Sequence, residues 1–240
     1  MKVIIVAGGL GTRISEETED KPKPMVLIND KPIIWHLMNI FSLQGFDNFI
    51  ISTGYKSEII ENWVNNNKIL DTNNNVMNVK IINTGLNTQT GGRISEVMKL
   101  IPNERVIATY GDGLANISIT NLLDFHKSHG KLATVTAVRP PARFGYLKSE
   151  NNLVTHFGEK NQSDEGWING GFFVLEPEVS SFVKSIIEPF ETGALVRLTE
   201  KSQLMSYSHL GYWQPMDTLR EKLDLEKQAR LNNPPWLNFS

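Results

Sequence analysis

Five short apolar runs, at 3–7, 49–53, 79–82, 105–110 and 132–138, alternate with stretches whose apolar residues recur at helical spacing, at 32–43, 57–64, 93–101 and 119–129. A brief apolar run bounded by turn residues reads as a buried strand. Strands separated by helices pair in parallel, because a crossover needs about the length of a helix. The pattern predicts an α/β fold: a mostly parallel, mixed sheet with helices on both faces. The helix at 57–64 is expected to begin near a Ser cap at Ser57. Past Phe144 the runs shorten to 146–148, 153–157 and 172–175, which read as a small antiparallel, lid-like section. A closing helix is expected over 216–230, with Leu219, Leu223 and Leu225 on its apolar side. No composition break marks a linker, so 1–240 reads as one domain with halves 1–140 and 141–240.

Composition removes several function classes. The chain has no cysteine, which excludes a disulfide scaffold, thiolate zinc sites and a thiol nucleophile. Its 24 Lys and Arg against 26 Asp and Glu leave a formal charge of −2, without the cationic excess of a duplex-coating or polybasic membrane protein. No run approaches the roughly 18 apolar residues of a membrane span. Gly8-Gly9 interrupts the first apolar run too soon for a secretory signal, so a cytoplasmic protein is expected, with neither nucleic acid nor membrane as partner. Asn65-Asn66-Asn67 and Asn73-Asn74-Asn75 read as an exposed loop. The five histidines show no metal spacing.

Two groups of residues carry chemistry. The first is Gly8-Gly9-Leu10-Gly11-Thr12-Arg13, directly after the first strand, where glycines let backbone N–H groups approach an anion. The loop has neither the Rossmann G-x-G-x-x-G spacing nor the Walker G-x-x-x-x-G-K-[ST] pattern, and alone it is also compatible with a plain tight turn. Arg13, followed by Lys21-Pro22-Lys23-Pro24-Met25, adds a planar fork and a point charge suited to a polyphosphate. The second group is Thr109-Tyr110-Gly111-Asp112-Gly113, which puts a carboxylate at the carboxyl end of a buried strand, where open α/β sheets bind ligands. Asp112 also fits a plain turn, and its candidate partner Asp217 a helix N-cap. Two carboxylates about 4 Å apart repel by roughly 4 kcal/mol at an effective dielectric of 20, so their convergence requires a cation between them. An all-oxygen set favours Mg²⁺ over zinc. Thr90-Gly91-Gly92-Arg93 reads as a turn opening a helix, with N–H groups for a base edge or phosphate. Glu159, Lys160 and Asn169 are candidates for contact with a sugar or phosphate.

Taken together, the 8–13 and 21–25 motifs resemble the opening of the sugar-phosphate nucleotidyltransferases. The longer string 10–18, Thr90-Gly91-Gly92-Arg93, Tyr110-Gly111-Asp112-Gly113, Ile168-Asn169-Gly170-Gly171-Phe172-Phe173-Val174-Leu175 and Trp213-Gln214-Pro215-Met216-Asp217-Thr218 are similar to one branch, the glucose-1-phosphate cytidylyltransferases. The matches run in order from Val3 to about Trp236. The resemblance implies a Rossmann-like, GT-A-like fold, with 1–140 as the nucleotide-binding half and 141–240 as the sugar-binding and closing half. It implies transfer of a cytidylyl group from CTP to a sugar 1-phosphate, glucose 1-phosphate first, with release of pyrophosphate. The implied catalytic residues are Arg13, Lys23 and Asp112, and Mg²⁺ would lie on Asp112 and Asp217. Ala7, Gly8, Gly9, Gly11, Thr12, Arg13, Thr88, Arg93 and Gly111 would surround the nucleotide, and Lys23, Glu159, Lys160 and Asn169 the acceptor. A homo-oligomer is implied as well. Another nucleotide or a non-glucose acceptor stays open, as does a catalytically silent subunit of the same fold, although nothing about folding requires Arg13, Lys23, Asp112 and Asp217 together. The glycine spacing disfavours a Rossmann dehydrogenase. Two stretches depart from the branch: 65–80 is shorter, and Phe190-Glu191-Thr192-Gly193-Ala194-Leu195 replaces a Glu-Pro-Leu sequence. Both lie where acceptor or oligomer contacts would be decided.

Overall fold

The computed structural model describes residues 1–140, 145–150, 153–159 and 166–239, and for 145–150 and most of 153–159 the backbone alone. In chain order the elements are β1 (Lys2–Ala7), α1 (Ser15–Thr18), β2 (Leu27–Ile28), β3 (Lys31–Pro32), α2 (Ile33–Ser42), β4 (Asn48–Thr53), α3 (Ser57–Asn66), β5 (Asn78–Asn83), α4 (Thr90–Lys99), β6 (Val106–Tyr110) and β7 (Gly113–Ala115). They continue with α5 (Ile119–His129), β8 (Ala133–Val138), β9 (Gly145–Glu150), β10 (Leu153–Glu159), β11 (Ile168–Asn169), β12 (Phe173–Leu175), α6 (Ala194–Glu200), β13 (Leu204–His209), β14 (Trp213–Pro215) and α7 (Leu219–Ala229). The expected alternation of strand and helix is present, and the sheet is mixed as expected. Its order is β11-β8-β12-β6-β1-β4-β5, with β13 on the other side of β8. β1 pairs in parallel with β4 and β6, β4 with β5, and β8 with β13, whereas β12 runs antiparallel to β6 and β8.

Side chains of β1 alternate between two cores, as a pleated strand requires. Val3, Ile5 and Ala7 join Leu37, Met38 and Phe41 of α2 and Leu122 of α5 on one face. Ile4 and Val6 join Ile94, Val97 and Met98 of α4 and Leu195 and Leu198 of α6 on the other. Coverage on both faces explains why these strands are apolar without alternation of polar residues. The antiparallel section read after Phe144 is split: β9 and β10 form a separate hairpin, while β11, β12 and β13 complete the main sheet.

Several local readings are corrected. Ser57 is the first residue of α3 and no side chain caps the helix; its hydroxyl instead meets Thr53 Oγ1 at 2.7 Å. The closing helix begins at Leu219, after a capping box made by Thr218 and Glu221. Leu225 alone of its three expected apolar residues is buried, because the helix turns the Glu221–Leu225 stripe inward and leaves Leu219 and Leu223 in solvent. The Asn-rich loop is pinned from within: the buried Asp71 carboxylate accepts from the Asn73 and Asn75 backbone N–H groups, the Asn75 amide and the Ser42 hydroxyl. Among the described residues no helix is long and apolar enough to cross a membrane.

Burial lowers the pKa values of His36, His126, His129 and His209; for His126 it outweighs the opposing pull of Glu176. A histidine held neutral in the fold but free to protonate when unfolded contributes stability that is fully present above about pH 6.5 and is lost as pH falls below it. The melting temperature should therefore hold between pH 8 and 7 and decline by pH 5.5. Equal values at pH 7.5 and 5.5 would contradict this.

Candidate active site

The site forms where β1 sits between β4 and β6, so that the chain leaves β1 toward one side and returns on the other. Such a switch point opens a crevice at the carboxyl ends of the strands. The register Ile5↔Thr109 and Val6↔Tyr110 sets the glycine loop after β1 beside Gly111-Asp112 after β6. Gly111 has no room for a side chain: a Cβ there would lie 3.1 Å from the Val6 carbonyl and 3.2 Å from Pro24 Cγ. That close approach docks the Pro22–Met25 turn onto the strand end. The turn is closed by Met25 N–H donating to the Pro22 carbonyl at 2.8 Å, and it presents Lys23 to Asp112.

Asp217 arrives by a second pairing. β14 runs antiparallel to β7 with Pro215 opposite Gly113, and Met216 N–H donates to the Asp112 carbonyl at 2.9 Å. The register carries Asp217 to the level of Asp112. Thr218, not Asp217, caps α7, which removes the N-cap reading of this acid.

One ammonium joins the two acids. Lys23 Nζ lies 2.6 Å from Asp112 Oδ2 and 2.7 Å from Asp217 Oδ1, so the two carboxylate oxygens are no more than 5.3 Å apart. The cation that the paired acids require is therefore supplied here by the chain itself. Burial alone would lower the Lys23 pKa, but the charge and hydrogen bonds of Asp112 and Asp217 outweigh it and leave it raised. Arg13 Nη1 reaches Asp217 Oδ2 at 2.7 Å from a side chain 76% exposed. An ion pair so open to solvent adds little stability, which leaves the guanidinium available to an incoming anion.

These residues line a cavity of about 570 Å³. Ala7, Gly9, Gly11, Thr12, Arg13, Lys23, Gly111, Asp112, Asn169 and Asp217 all border it. Five residues expected around the nucleotide or within its loops behave differently. Gly8 turns away from it, and a Cβ there would fall 2.1 Å from the Arg93 guanidinium carbon. Arg93 is buried and donates to the Thr53 carbonyl at 2.6 Å, the Thr84 hydroxyl at 2.7 Å and the Gly8 carbonyl at 3.0 Å. It braces the glycine loop from behind. Thr88 is buried, its hydroxyl returned to the Thr84 carbonyl. The Thr90-Gly91-Gly92-Arg93 motif lies inside α4, which starts three residues before the expected 93. Gly91 N–H is donated to the Glu188 carbonyl at 3.1 Å, and a Cβ on Gly92 would meet the Ile186 carbonyl at 2.1 Å. These two glycines serve close packing, not anion binding. The side chain of Glu159 and the whole of Lys160 lie outside the described residues.

Sequence reasoning named Thr90, Tyr110, Ile168 and Trp213 only as parts of motifs, and Glu191 only within the 190–195 stretch that departs from the branch; all five border the cavity. Asn169 owes its position to a break between β11 and β12. Gly170 packs against Val138, Gly171 and Phe172 have φ of 76° and 48°, and Asn169 Oδ1 accepts the Gly171 N–H at 2.9 Å. The Asn-Gly-Gly sequence supplies the residues best able to take that path.

Residues 2–218 match the model of the nucleotidyl transferase family. The chain belongs to that family. It is 43% identical to the glucose-1-phosphate cytidylyltransferase of Salmonella typhi, with 98% of each chain covered, and 38% identical to a probable glucose-1-phosphate cytidylyltransferase of Bacillus subtilis, covering 98% of this chain and 99% of the relative. A UTP-bound UGPase from Acinetobacter baumannii shares the fold with a TM-score of 0.74 at 14% identity, over 98% of this chain and 95% of that one.

Replacing Arg93 with Ala removes charge-assisted hydrogen bonds to the Thr53 and Gly8 carbonyls and the half-buried Thr84 hydroxyl, each of which keeps another partner. Bonds to a charged group are worth about 1.5–3 kcal/mol. Arg93→Ala should lower the unfolding free energy by about 3 kcal/mol or more in urea titration. A variant as stable as the parent would show that Arg93 is not the brace.

Proposed function

We propose that this nucleotidyltransferase joins the cytidylyl group of CTP to glucose 1-phosphate, giving CDP-glucose and pyrophosphate. The chemistry rests on one observation: Lys23 held between Asp112 and Asp217 on the wall of a cavity that the glycine loop also borders. The choice of CTP and glucose 1-phosphate is supported by relatives of that name that match over nearly the full length of the chain.

The acceptor phosphate oxygen attacks the α-phosphorus of CTP in line, and pyrophosphate leaves. No covalent enzyme intermediate is required, so the protein contributes positioning and charge. Ala7, Gly9, Gly11 and Thr12 border the nucleotide, with Gly111 leaving room at the strand end. Arg93, packed against Gly8, keeps that loop in shape from behind, and Thr88 closes its own segment onto the Thr84 carbonyl. Arg13 turns to the β- and γ-phosphates, and Lys23 neutralises charge at the reacting phosphates. Asp112 and Asp217 suit Mg²⁺, which is commonly held by one or two carboxylates together with substrate phosphates and water. When bound, the ion would offset phosphate charge and help align the reacting groups. Asn169, on the cavity wall, is assigned to the acceptor sugar, and the family resemblance gives Glu159 and Lys160 the same role. A cytoplasmic homo-oligomer completes the reading, from composition and the family resemblance.

Pyrophosphate release measured with each NTP, Mg²⁺ and a panel of sugar 1-phosphates should be fastest with CTP and glucose 1-phosphate. Lys23→Ala should cut kcat by about 10²–10³, by analogy with the loss of one preorganised donor to developing charge. Asp112→Asn and Asp217→Asn should each shift the magnesium titration to higher concentration. Undiminished turnover in Lys23→Ala, or an unmoved titration in either Asp variant, would remove that residue from the site.

A further inference from the structure

The cavity has two chemically distinct ends. Lys23, Arg13, Asp112 and Asp217 make a charged end, whereas Thr90, Tyr110, Asn169 and Glu191 make the other. At that second end both hydroxyl protons run toward Glu191. Thr90 Oγ1 accepts the Phe190 backbone N–H at 2.8 Å and donates its own proton to Glu191 Oε2 at 2.8 Å. The Tyr110 hydroxyl accepts from the Asn169 amide at 3.2 Å and donates to Glu191 Oε1. Burial, and after it the charge of Glu191, push the Tyr110 pKa far above its usual range, so the phenol keeps the proton that it donates. Asn169 is itself fixed by the Gly171 N–H on its carbonyl. Two hydroxyls from different elements thus hold one carboxylate in a single orientation at the cavity wall, one on each oxygen. A carboxylate has about four acceptor sites, so Glu191 keeps capacity for hydrogen bonds from a ligand.

We propose that Glu191 is a specificity-determining residue for the acceptor: its carboxylate, oriented by Thr90 and Tyr110, accepts a hydroxyl of the sugar and turns away acceptors that carry a second anionic group. The proposal rests on the sugar-phosphate transfer proposed above and deepens it. A carboxylate that can only accept selects a ligand that donates, and a neutral sugar edge supplies hydroxyl donors. A second phosphate or a carboxylate on the sugar would meet an acceptor of the same charge and lose affinity. A site built around a hydrogen bond rejects the analogue that lacks its partner more strongly than an apolar wall rejects a change in size.

Steady-state kinetics of the full chain and of Glu191→Gln provide the test, with CTP fixed and then varied, and with glucose 1-phosphate, its deoxy analogues and glucose 1,6-bisphosphate as acceptors. Thermal melting checks folding, and Tyr110→Phe, which removes one orienting proton but leaves the carboxylate, serves as a second variant. For Glu191→Gln the KM for glucose 1-phosphate should rise about tenfold, with the KM for CTP within about twofold, and discrimination against the bisphosphate should relax. One deoxy analogue should be poor with the parent and suffer no additional loss with the variant, because the two changes remove the same hydrogen bond. Tyr110→Phe should raise the acceptor KM by a smaller factor. If every deoxy penalty and the bisphosphate ratio are the same in parent and Glu191→Gln, or if CTP and acceptor KM values rise together, the assignment of Glu191 is overturned while the transferase reading stands. No turnover of any acceptor by the parent chain would overturn both.

Discussion

A single ammonium between two carboxylates ties together parts of this molecule that lie far apart in sequence. Lys23 belongs to a proline-bounded turn near the N-terminus, Asp112 to the end of β6, and Asp217 to the approach to α7. Charge-assisted hydrogen bonds of this kind are short and strong. They also protect the arrangement in a negative sense: without the ammonium, two partly buried acids would face each other in a medium that screens poorly. Everything else around the cavity serves that convergence. The parallel pairing of β1 with β6 brings the glycine loop alongside Asp112, the pairing of β7 with β14 brings Asp217 level with it, and the lack of a side chain on Gly111 lets the Lys23 turn dock.

The cavity is asymmetric in charge, and the asymmetry follows from which strands supply its walls. Its charged end is built from loops that follow strands at the topological switch. Its other end is built from α4, from the Asn169 kink between β11 and β12, and from Glu191 just before α6. Hydroxyl and amide groups there are arranged around one carboxylate rather than one cation. A phosphate-transfer centre and a hydroxyl-reading wall can thus occupy one cavity without competing for the same groups.

Much of the fold was legible because hydrophobic periodicity is a local property. The runs at 3–7 and 49–53 became β1 and β4, and α5 spans the expected 119–129. The convergence of Lys23, Asp112 and Asp217 was legible because their motifs sit at element ends, but the cation between the acids was read as Mg²⁺ and not as Lys23. What failed was direction. The family resemblance sets Arg93 beside the nucleotide, yet burial turns it onto backbone carbonyls behind the glycine loop. Gly91 and Gly92 read as an anion-binding turn, but their small size is used to admit the 186–190 segment. Glu191 was marked only as part of the departing 190–195 stretch, because its partners, Tyr110 and Thr90, lie 81 and 101 residues away, and no local pattern reports such a pairing. Leu219 and Leu223 were assigned to a core face that only the docking of α7 could define.

If the Lys23 ammonium stands where a divalent ion would otherwise be drawn, removing it should unmask the acids. Titration of the protein with Mn²⁺ in the absence of nucleotide, followed by electron paramagnetic resonance, measures this directly in the parent chain and in Lys23→Met. Tighter Mn²⁺ binding by Lys23→Met, abolished when Asp112→Asn is added, is the predicted result. Equal or weaker binding by Lys23→Met would contradict the view that lysine and metal answer to the same two carboxylates.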